Sequence, residues 1–193
     1  MADRLHRLHR LHRLQMFDAA EAFHQTAMGG GEYLSMHWRQ GDFLRANKEL
    51  PSVEEIAAAV LAKAKEHDIT KFVLLTNGDK ASVAKLSDAL KEGGVALFRY
   101  AKEAFETREA TDMNYPGQDG FTSLQVATIE QALAAKATVF FGSTTSTFSK
   151  QVHLERRVLG YSWEDESCVT LFPEGVLAKM CFQGAHGVKC EPW

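Results

Sequence analysis

Thr138-Val-Phe-Phe-Gly-Ser-Thr-Thr-Ser-Thr-Phe-Ser149 begins as one kind of structure and ends as another. Its first four residues are β-branched or aromatic and read as a short buried strand. Gly142 closes that strand. Ser143 to Thr147 then follow as an unbroken hydroxyl-bearing run. From Thr147 onward Phe148, Val152 and Leu159 recur at helical spacing, and Gly160 is placed where a helix C′ residue belongs. The stretch is therefore a strand that turns through hydroxyls into a helix N-terminus. Such a turn binds anions, because the first helical N–H groups have no internal partners and the helix dipole adds positive potential. Ser146 acting as an N-cap would use one hydroxyl; five in succession exceed what one cap uses. Arg156 and Arg157 lie further along the same helix.

Working outward, the same alternation repeats. Glu32 to Trp38 reads as a strand followed by the loop Arg39-Gln-Gly-Asp42. Strand periodicity puts His37 and Arg39 on one side of it. Pro51-Ser-Val-Glu-Glu55 opens a helix with a Ser52–Glu55 capping box. Lys71 to Thr76 is a second strand, ended by Asn77-Gly78. A helix over Lys80 to Leu90 stops at Gly93-Gly94, and Val95 to Tyr100 is a third strand. Residues 101–120 carry Pro116-Gly117 and Asp119-Gly120 and read as loop. Ser123 to Ala137 is a helix with Val126, Ile129 and Leu133 inward. Phe17 to Met28 is helix-compatible and ends at Gly29-Gly-Gly31. Residues 4–14 are an Arg-Leu-His triplet repeat. A three-residue period drifts around a 3.6-residue helix and gives its leucines no stable face, so residues 1–15 are expected to be an arm or an ill-defined first helix.

Alternating strands and helices predict a doubly wound, mostly parallel sheet covered on both faces. Ligands of such sheets bind outside the carboxyl ends of the strands, where strand order reverses. That rule brings His37, Arg39 and the 143–149 turn to one rim. An arginine fork beside a helix N-terminus suits a diphosphate. Neither G-x-G-x-x-G nor G-x-x-x-x-G-K-[ST] occurs, which argues against a dinucleotide dehydrogenase and a P-loop NTPase. Glu130 lies at or beside the inward face of its helix. It is either half of a structural ion pair or a base reader, since a carboxylate can accept both N–H groups on the guanine edge. The other histidines lack metal-ligand spacing.

The 193 residues are 45% hydrophobic and 24% charged, as in an ordinary globular domain, and the net charge of −3 argues against a general polyanion binder. No apolar run is long enough for a membrane span, and Met1 to Gln15 lacks the apolar core of a signal peptide. Cys168, Cys181 and Cys190 fit either a disulfide with one thiol left over or three plain thiols, and they do not form a zinc signature.

His37-Trp-Arg-Gln-Gly-Asp42 resembles the H-x-R-x-G-D segment of the GDP-fucose protein O-fucosyltransferases. Phe141 to Ser149, continuing to Glu155-Arg156 and Leu159-Gly160, resembles their donor-binding motif. The tail from Cys181 to Cys190, ending in Glu191-Pro-Trp193, is similar to the branch that acts on thrombospondin type 1 repeats. The resemblance covers residues 16–193 and implies the C-terminal, Rossmann-like half of a GT-B glycosyltransferase. Residues 16–160 would be the GDP-fucose-binding domain and 161–193 a C-terminal extension. It implies an inverting, metal-independent transfer from GDP-fucose to a protein Ser or Thr hydroxyl, with no cofactor besides the donor.

Carried onto this chain, the resemblance has Arg39 bind the β-phosphate and stabilise departing GDP. His37 contacts the nucleotide, and Ser146, Thr147 and Phe148 hold the diphosphate and nucleoside. Glu130 stands where the family has an aspartate, Asn77 likewise, and Arg156 joins the donor-binding set. Cys181 and Cys190 are the implied disulfide, with Cys168 free. The family's other half supplies acceptor contacts and the catalytic base. The implied partners are GDP-fucose and a protein acceptor domain, not nucleic acid. The implied compartment is the endoplasmic reticulum or Golgi lumen. Competing readings are another GT-B fucosyl- or rhamnosyltransferase and a non-catalytic nucleotide-binding module. A nucleic-acid binder led by the Arg-Leu-His arm is the weakest of these.

Overall fold

The structure, a computed structural model, describes residues 2–40, 51–100, 121–143 and 146–161, and short strands at 168–171, 177–178, 183–184 and 187–188. In chain order the elements are α1 (Ala2–Thr26), β1 (Leu34–Trp38), α2 (Val53–His67), β2 (Lys71–Thr76), α3 (Lys80–Glu92) and β3 (Ala96–Phe98). Then come α4 (Ser123–Lys136), β4 (Val139–Ser143), α5 (Thr147–Val158), β5 (Cys168–Leu171), β6 (Leu177–Ala178), β7 (Gln183–Gly184) and β8 (Gly187–Val188). Gly41, Asp42, residues 101–120, Thr144, Thr145, Cys181 and Cys190 lie outside the described residues.

The main sheet has the order β3-β2-β1-β4-β5-β6. All its pairings are parallel except β5 with β6, and β7 and β8 form a separate antiparallel pair. The chain builds outward from β1 to β3, then returns to lay β4 on the other side of β1. This is the doubly wound α/β arrangement expected from the sequence. Its reversal point lies between β1 and β4, so the ligand crevice of this fold class opens at their carboxyl ends. Those ends carry His37 and Trp38 on one strand and Gly142 and Ser143 on the other.

Strand alternation divides the core. Leu34, Met36 and Trp38 of β1, Phe72 and Leu74 of β2, and Val139 and Phe141 of β4 pack with Ile56, Val60, Leu86 and Leu90 of α2 and α3. On the other face Val73, Leu75 and Phe140 pack with Ala134 and Ala135 of α4 and Val152 of α5. The C-terminal half of α1 closes over α4 through Phe17, Ala20 and Phe23 against Val126, Ile129 and Leu133. Both faces of the sheet are covered, and therefore β2 and β4 read as continuous apolar runs rather than alternating ones. Truncating a fully buried ring such as Phe140 or Phe141 to alanine would cost about 3–5 kcal/mol.

The helix starts are chemically specified. Ser52 and Glu55 form the expected capping box on α2; Thr122 and Gln125 form a second one on α4, and Asp79 caps α3. Of the two alternatives for the N-terminal repeat the structure shows the helix, and one other reading needs correction. The helix α1 runs through residue 15 without a break. Arg and Leu are good helix formers, and the repeat continues directly from the turns anchored on α4, so a drifting apolar face does not prevent helix formation. On α5, Leu159 is exposed, and the inward face is Ser149, Val152, His153 and Arg156. The buried stripe of this helix is mostly polar, so hydrophobic periodicity misplaced it. No helix among the described residues is long and apolar enough to cross a membrane.

Candidate functional site

The crevice between β1 and β4 is built by side chains that bond across strands. His37, next to last in β1, turns toward the α5 side of the sheet. Its Nδ1 lies 2.9 Å from the Ser149 hydroxyl and 3.4 Å from that of Ser146. Its ring stacks on Phe148, with centroids 4.3 Å apart and planes inclined by 27°. Three positions of one helix start, N-cap, N2 and N3, thus grip one imidazole. Burial, with the Arg39 charge as a lesser cause, pushes the His37 pKa down to about 3. Both causes favour the uncharged ring, and the Arg39 guanidinium is near enough for its charge to be felt there.

Ser146 is the N-cap of α5. Its hydroxyl accepts the Ser149 N–H at 3.4 Å, and its carbonyl accepts the Lys150 N–H at 3.0 Å. The N–H groups of Thr147 and Phe148 make no hydrogen bond to any described residue, as expected for the first positions of a helix. Capping and anion binding are therefore not exclusive here. The cap takes the N3 donor and leaves the N1 and N2 donors unbonded to any described residue.

Arg39 is fixed through its backbone. Its N–H donates to the Ser143 hydroxyl at 3.2 Å, and that hydroxyl in turn donates to the His37 carbonyl. The Ser143 N–H donates to Ser149 Oγ at 3.0 Å. One residue further on, the Gln40 N–H donates to Asn77 Oδ1 at 2.8 Å, and Gln40 Oε1 accepts the Asp79 N–H at 3.2 Å. Thr76 completes the strut by donating to the Trp38 carbonyl and accepting from the Gly78 N–H. The segment bearing Arg39 is therefore held from β4 on one side and from the end of β2 on the other. Gly78 is needed for space: a Cβ there would lie 2.5 Å from Gln40 Oε1 and 3.0 Å from Thr76 Oγ1.

The expected residues are only partly brought together. His37, Arg39, Ser146, Thr147 and Phe148 meet at the β1–β4 rim. Phe148 also supplies its ring, stacked on His37, besides its backbone. Arg156 does not join them. Its guanidinium is fully buried and donates to the carbonyls of Ala135, Ala137 and Thr138, with the Tyr161 ring 3.9 Å away. Those carbonyls end α4 and lead into β4, at the amino ends of the strands, opposite the carboxyl rim. The cation satisfies carbonyls left open at a helix C-terminus, so its assignment to the donor-binding set is corrected. Glu130 is buried at 8% exposure on α4, about 10 Å along the helix from its rim-side start. His153, to which no role was given, sits edge-on to Phe140 at 5.1 Å between centroids, and burial pushes its pKa down to about 4.

From sequence, Ser143 and Ser149 reach the rim only as part of the hydroxyl-rich turn, Asn77 enters only by the resemblance, and Gln40 has no part. Ser149 could have been found, because an N-cap Ser146 places it at N3, on the same helical face. The pairing of Gln40 with Asn77 carries no local signal; only the adjacency of β1 and β2 brings them together. Among the described residues no group of His, Cys, Asp and Glu side chains is arranged to hold a metal ion.

No protein-family model matches the chain. Among curated proteins it is 32% identical to GDP-fucose protein O-fucosyltransferase 2 of Caenorhabditis elegans, over 71% of this chain and 28% of that protein. It is 30% identical to the Homo sapiens protein of the same name, over 68% of this chain and 27% of that one. Among solved structures, POFUT1 in complex with GDP aligns with a TM-score of 0.55 at 15% identity, covering 77% of this chain and 45% of that one. POFUT1 in complex with GDP-fucose aligns equally well, at a TM-score of 0.55 and 15% identity, covering 77% of this chain and 44% of that one. The structural likeness establishes the fold, a Rossmann-like half of the GT-B type. By the sequence matches, this chain belongs with the GDP-fucose protein O-fucosyltransferases and spans a little over a quarter of the length of the curated relatives it matches.

Proposed function

We propose that the chain carries the donor site of a GDP-fucose-dependent protein O-fucosyltransferase, with the diphosphate bound between Arg39 and the N-terminus of α5. The observation that carries this reading is the convergence of Arg39, His37 and the free N1 and N2 amides at the β1–β4 reversal point. The same fold holds GDP and GDP-fucose in POFUT1. Breaking the fucosyl–phosphate bond places charge on the β-phosphate. A cation and amide dipoles already fixed around it stabilise that charge more in the transition state than in the ground state. Both backbone restraints on Arg39 serve this, since a donor that must reorganise during reaction is worth less. Loss of one such group costs on the order of hundredfold in rate.

In this reading the transfer inverts the anomeric carbon, because the acceptor hydroxyl attacks opposite the departing phosphate. It proceeds without a metal, Arg39 and the helix terminus taking the place of a divalent cation on the leaving group. The acceptor is a Ser or Thr hydroxyl of a folded protein domain. Acceptor contacts and the general base, worth roughly 10²–10⁴-fold, come from outside the donor domain. The working compartment is the secretory lumen, by kinship with the fucosyltransferases.

The test is calorimetric titration of the chain with GDP, UDP and guanosine, with and without EDTA. GDP should bind most tightly and EDTA should not matter. Arg39→Ala should weaken GDP far more than guanosine. Glu130→Gln should narrow the preference for GDP over UDP if Glu130 reads guanine. Equal affinity for all three ligands would refute the donor-site reading.

A further inference from the structure

We propose that Ser149 is a positioning residue that locks His37 as its Nε2–H tautomer, so that the imidazole meets the donor diphosphate as a hydrogen-bond donor. This rests on the donor-site reading above for the identity of the ligand, though not for the tautomer.

The argument is a count of protons. The Ser149 hydroxyl accepts the Ser143 N–H at 3.0 Å, and the Ser146 hydroxyl accepts the Ser149 N–H at 3.4 Å. Each hydroxyl keeps one proton to give. The acceptor both share is His37 Nδ1, at 2.9 and 3.4 Å. Ser149 and Ser146 are 0% and 1% exposed, so water does not take those protons. A proton on Nδ1 could still be accepted by a hydroxyl's second lone pair, but it would remove the acceptor that both O–H groups share and strand them in the interior. A stranded buried donor loses its full desolvation free energy, so that arrangement is disfavoured. Nδ1 is therefore the acceptor and the ring proton belongs on Nε2.

Nε2 lies at the far end of the side chain and is bonded to no described residue. Phe148 covers one face of the ring and fixes its plane. With Nδ1 engaged as an acceptor, the ring presents Nε2–H as a donor. Such a group suits an acceptor-only oxygen, as on a phosphate, and does not suit the lone proton-abstracting base of the reaction. The sequence hides this, since Ser149 reads as one more hydroxyl in a run of them.

The experiment uses the full chain, labelled with ¹⁵N, and long-range ¹H–¹⁵N correlation of its histidine rings. His37 is assigned by the signals lost in His37→Gln. The expected spectrum shows Nδ1 unprotonated and Nε2 protonated. Ser149→Ala leaves only the longer Ser146 bond, so Nδ1–H should become populated. GDP affinity should then fall roughly two- to tenfold, the worth of one neutral hydrogen bond, with guanosine affected less. Ser149→Thr, which keeps the hydroxyl, should restore both tautomer and affinity. A merely structural serine would lower stability without moving the ring tautomer. A protonated Nδ1 in the unmodified chain overturns the proposal. So does Ser149→Ala that leaves either tautomer or GDP affinity unchanged. If the unmodified chain binds no GDP, the donor-site reading fails, while the ring spectrum still decides the tautomer.

Discussion

Asn77 Oδ1 accepts the backbone N–H of Gln40 at 2.8 Å, joining the end of β2 to the residue that follows Arg39. Together with the Ser143 hydroxyl on the Arg39 N–H, it leaves the Arg39 backbone little freedom. Removing the acceptor in Asn77→Ala should reduce stability by about 1 kcal/mol, the net worth of one half-buried hydrogen bond. It should reduce GDP affinity as well, by loosening Arg39. Asn77→Asp keeps an acceptor at the same place and should bind GDP nearly as the unmodified chain does. Urea titration and calorimetry read the two effects. If Asn77→Ala binds GDP normally, Arg39 does not depend on the strut.

Gly78 makes a sharper test of the same strut. A methyl group there would press on Gln40 Oε1 at 2.5 Å and Cδ at 2.8 Å. Gln40 is buried and holds the Asp79 N–H, so it cannot yield freely. Gly78→Ala should destabilise by roughly 1–3 kcal/mol, as overpacking does. The penalty should shrink when Gln40→Ala is added, because the obstacle is then gone. Additive losses in the double variant would place the strain elsewhere.

These two positions show what the sequence made legible and what it did not. The alternation of strands and helices, with Ser52–Glu55 and Gly160 as punctuation, was enough for the layers and for the rim that carries His37, Arg39 and Ser146. Apolar periodicity failed on α5, because Ser149, His153 and Arg156 fill its buried side. Buried polar groups are chosen for partners on other elements, and those partners are invisible to a local pattern. Arg156 was misassigned for this reason. A basic residue near an anion-binding turn reads as a ligand group, whereas its helix carries it three turns down to carbonyls at the amino ends of the strands.

That correction predicts a separation of stability from binding. Arg156→Met fills similar space but leaves the carbonyls of Ala135, Ala137 and Thr138 without their cation. The loss should be roughly 3 kcal/mol, as for a buried charge network with one partner deleted. GDP affinity of the molecules that remain folded should not change. A variant of normal stability with weakened GDP binding would return Arg156 to the donor site.

Two histidines predict the acid limit of the fold. Burial lowers the pKa of His37 to about 3 and of His153 to about 4, against an ordinary value of 6.5. Between these limits the unfolded chain binds protons that the folded chain refuses, so folding weakens as protons become available. The stability contributed by the neutral rings is fully present above about pH 6.5 and is lost as pH falls toward 4 and then 3. The urea midpoint should drop between pH 7 and pH 5. His153→Phe removes one of the two titrating groups and should make that drop shallower, whatever it does to stability at pH 7. An unchanged slope would mean His153 takes up its proton in the folded state as readily as in water.

The last prediction concerns whether the two halves of the rim act on one ligand group. Arg39 follows β1 and Thr147 opens α5, and the structure joins their elements through Ser143 and Ser149. If Arg39 and the α5 terminus hold the same diphosphate, losing one lets the phosphates shift and weakens the other's hold. Groups that share a ligand in this way couple by roughly 0.5–3 kcal/mol, whereas separate sites add. Arg39→Ala should cost more than Thr147→Ala, because Thr147 retains its backbone amide and loses only an exposed hydroxyl. The double variant should lose less GDP affinity than the sum of the single losses. With guanosine, which lacks the phosphates, all three variants should lie near the unmodified chain and the coupling should vanish. Added salt should weaken GDP binding to the unmodified chain more than to Arg39→Ala, since one charge contact is already missing there. Strict additivity with GDP, or coupling of the same size with guanosine, would show that Arg39 and the start of α5 do not hold one diphosphate.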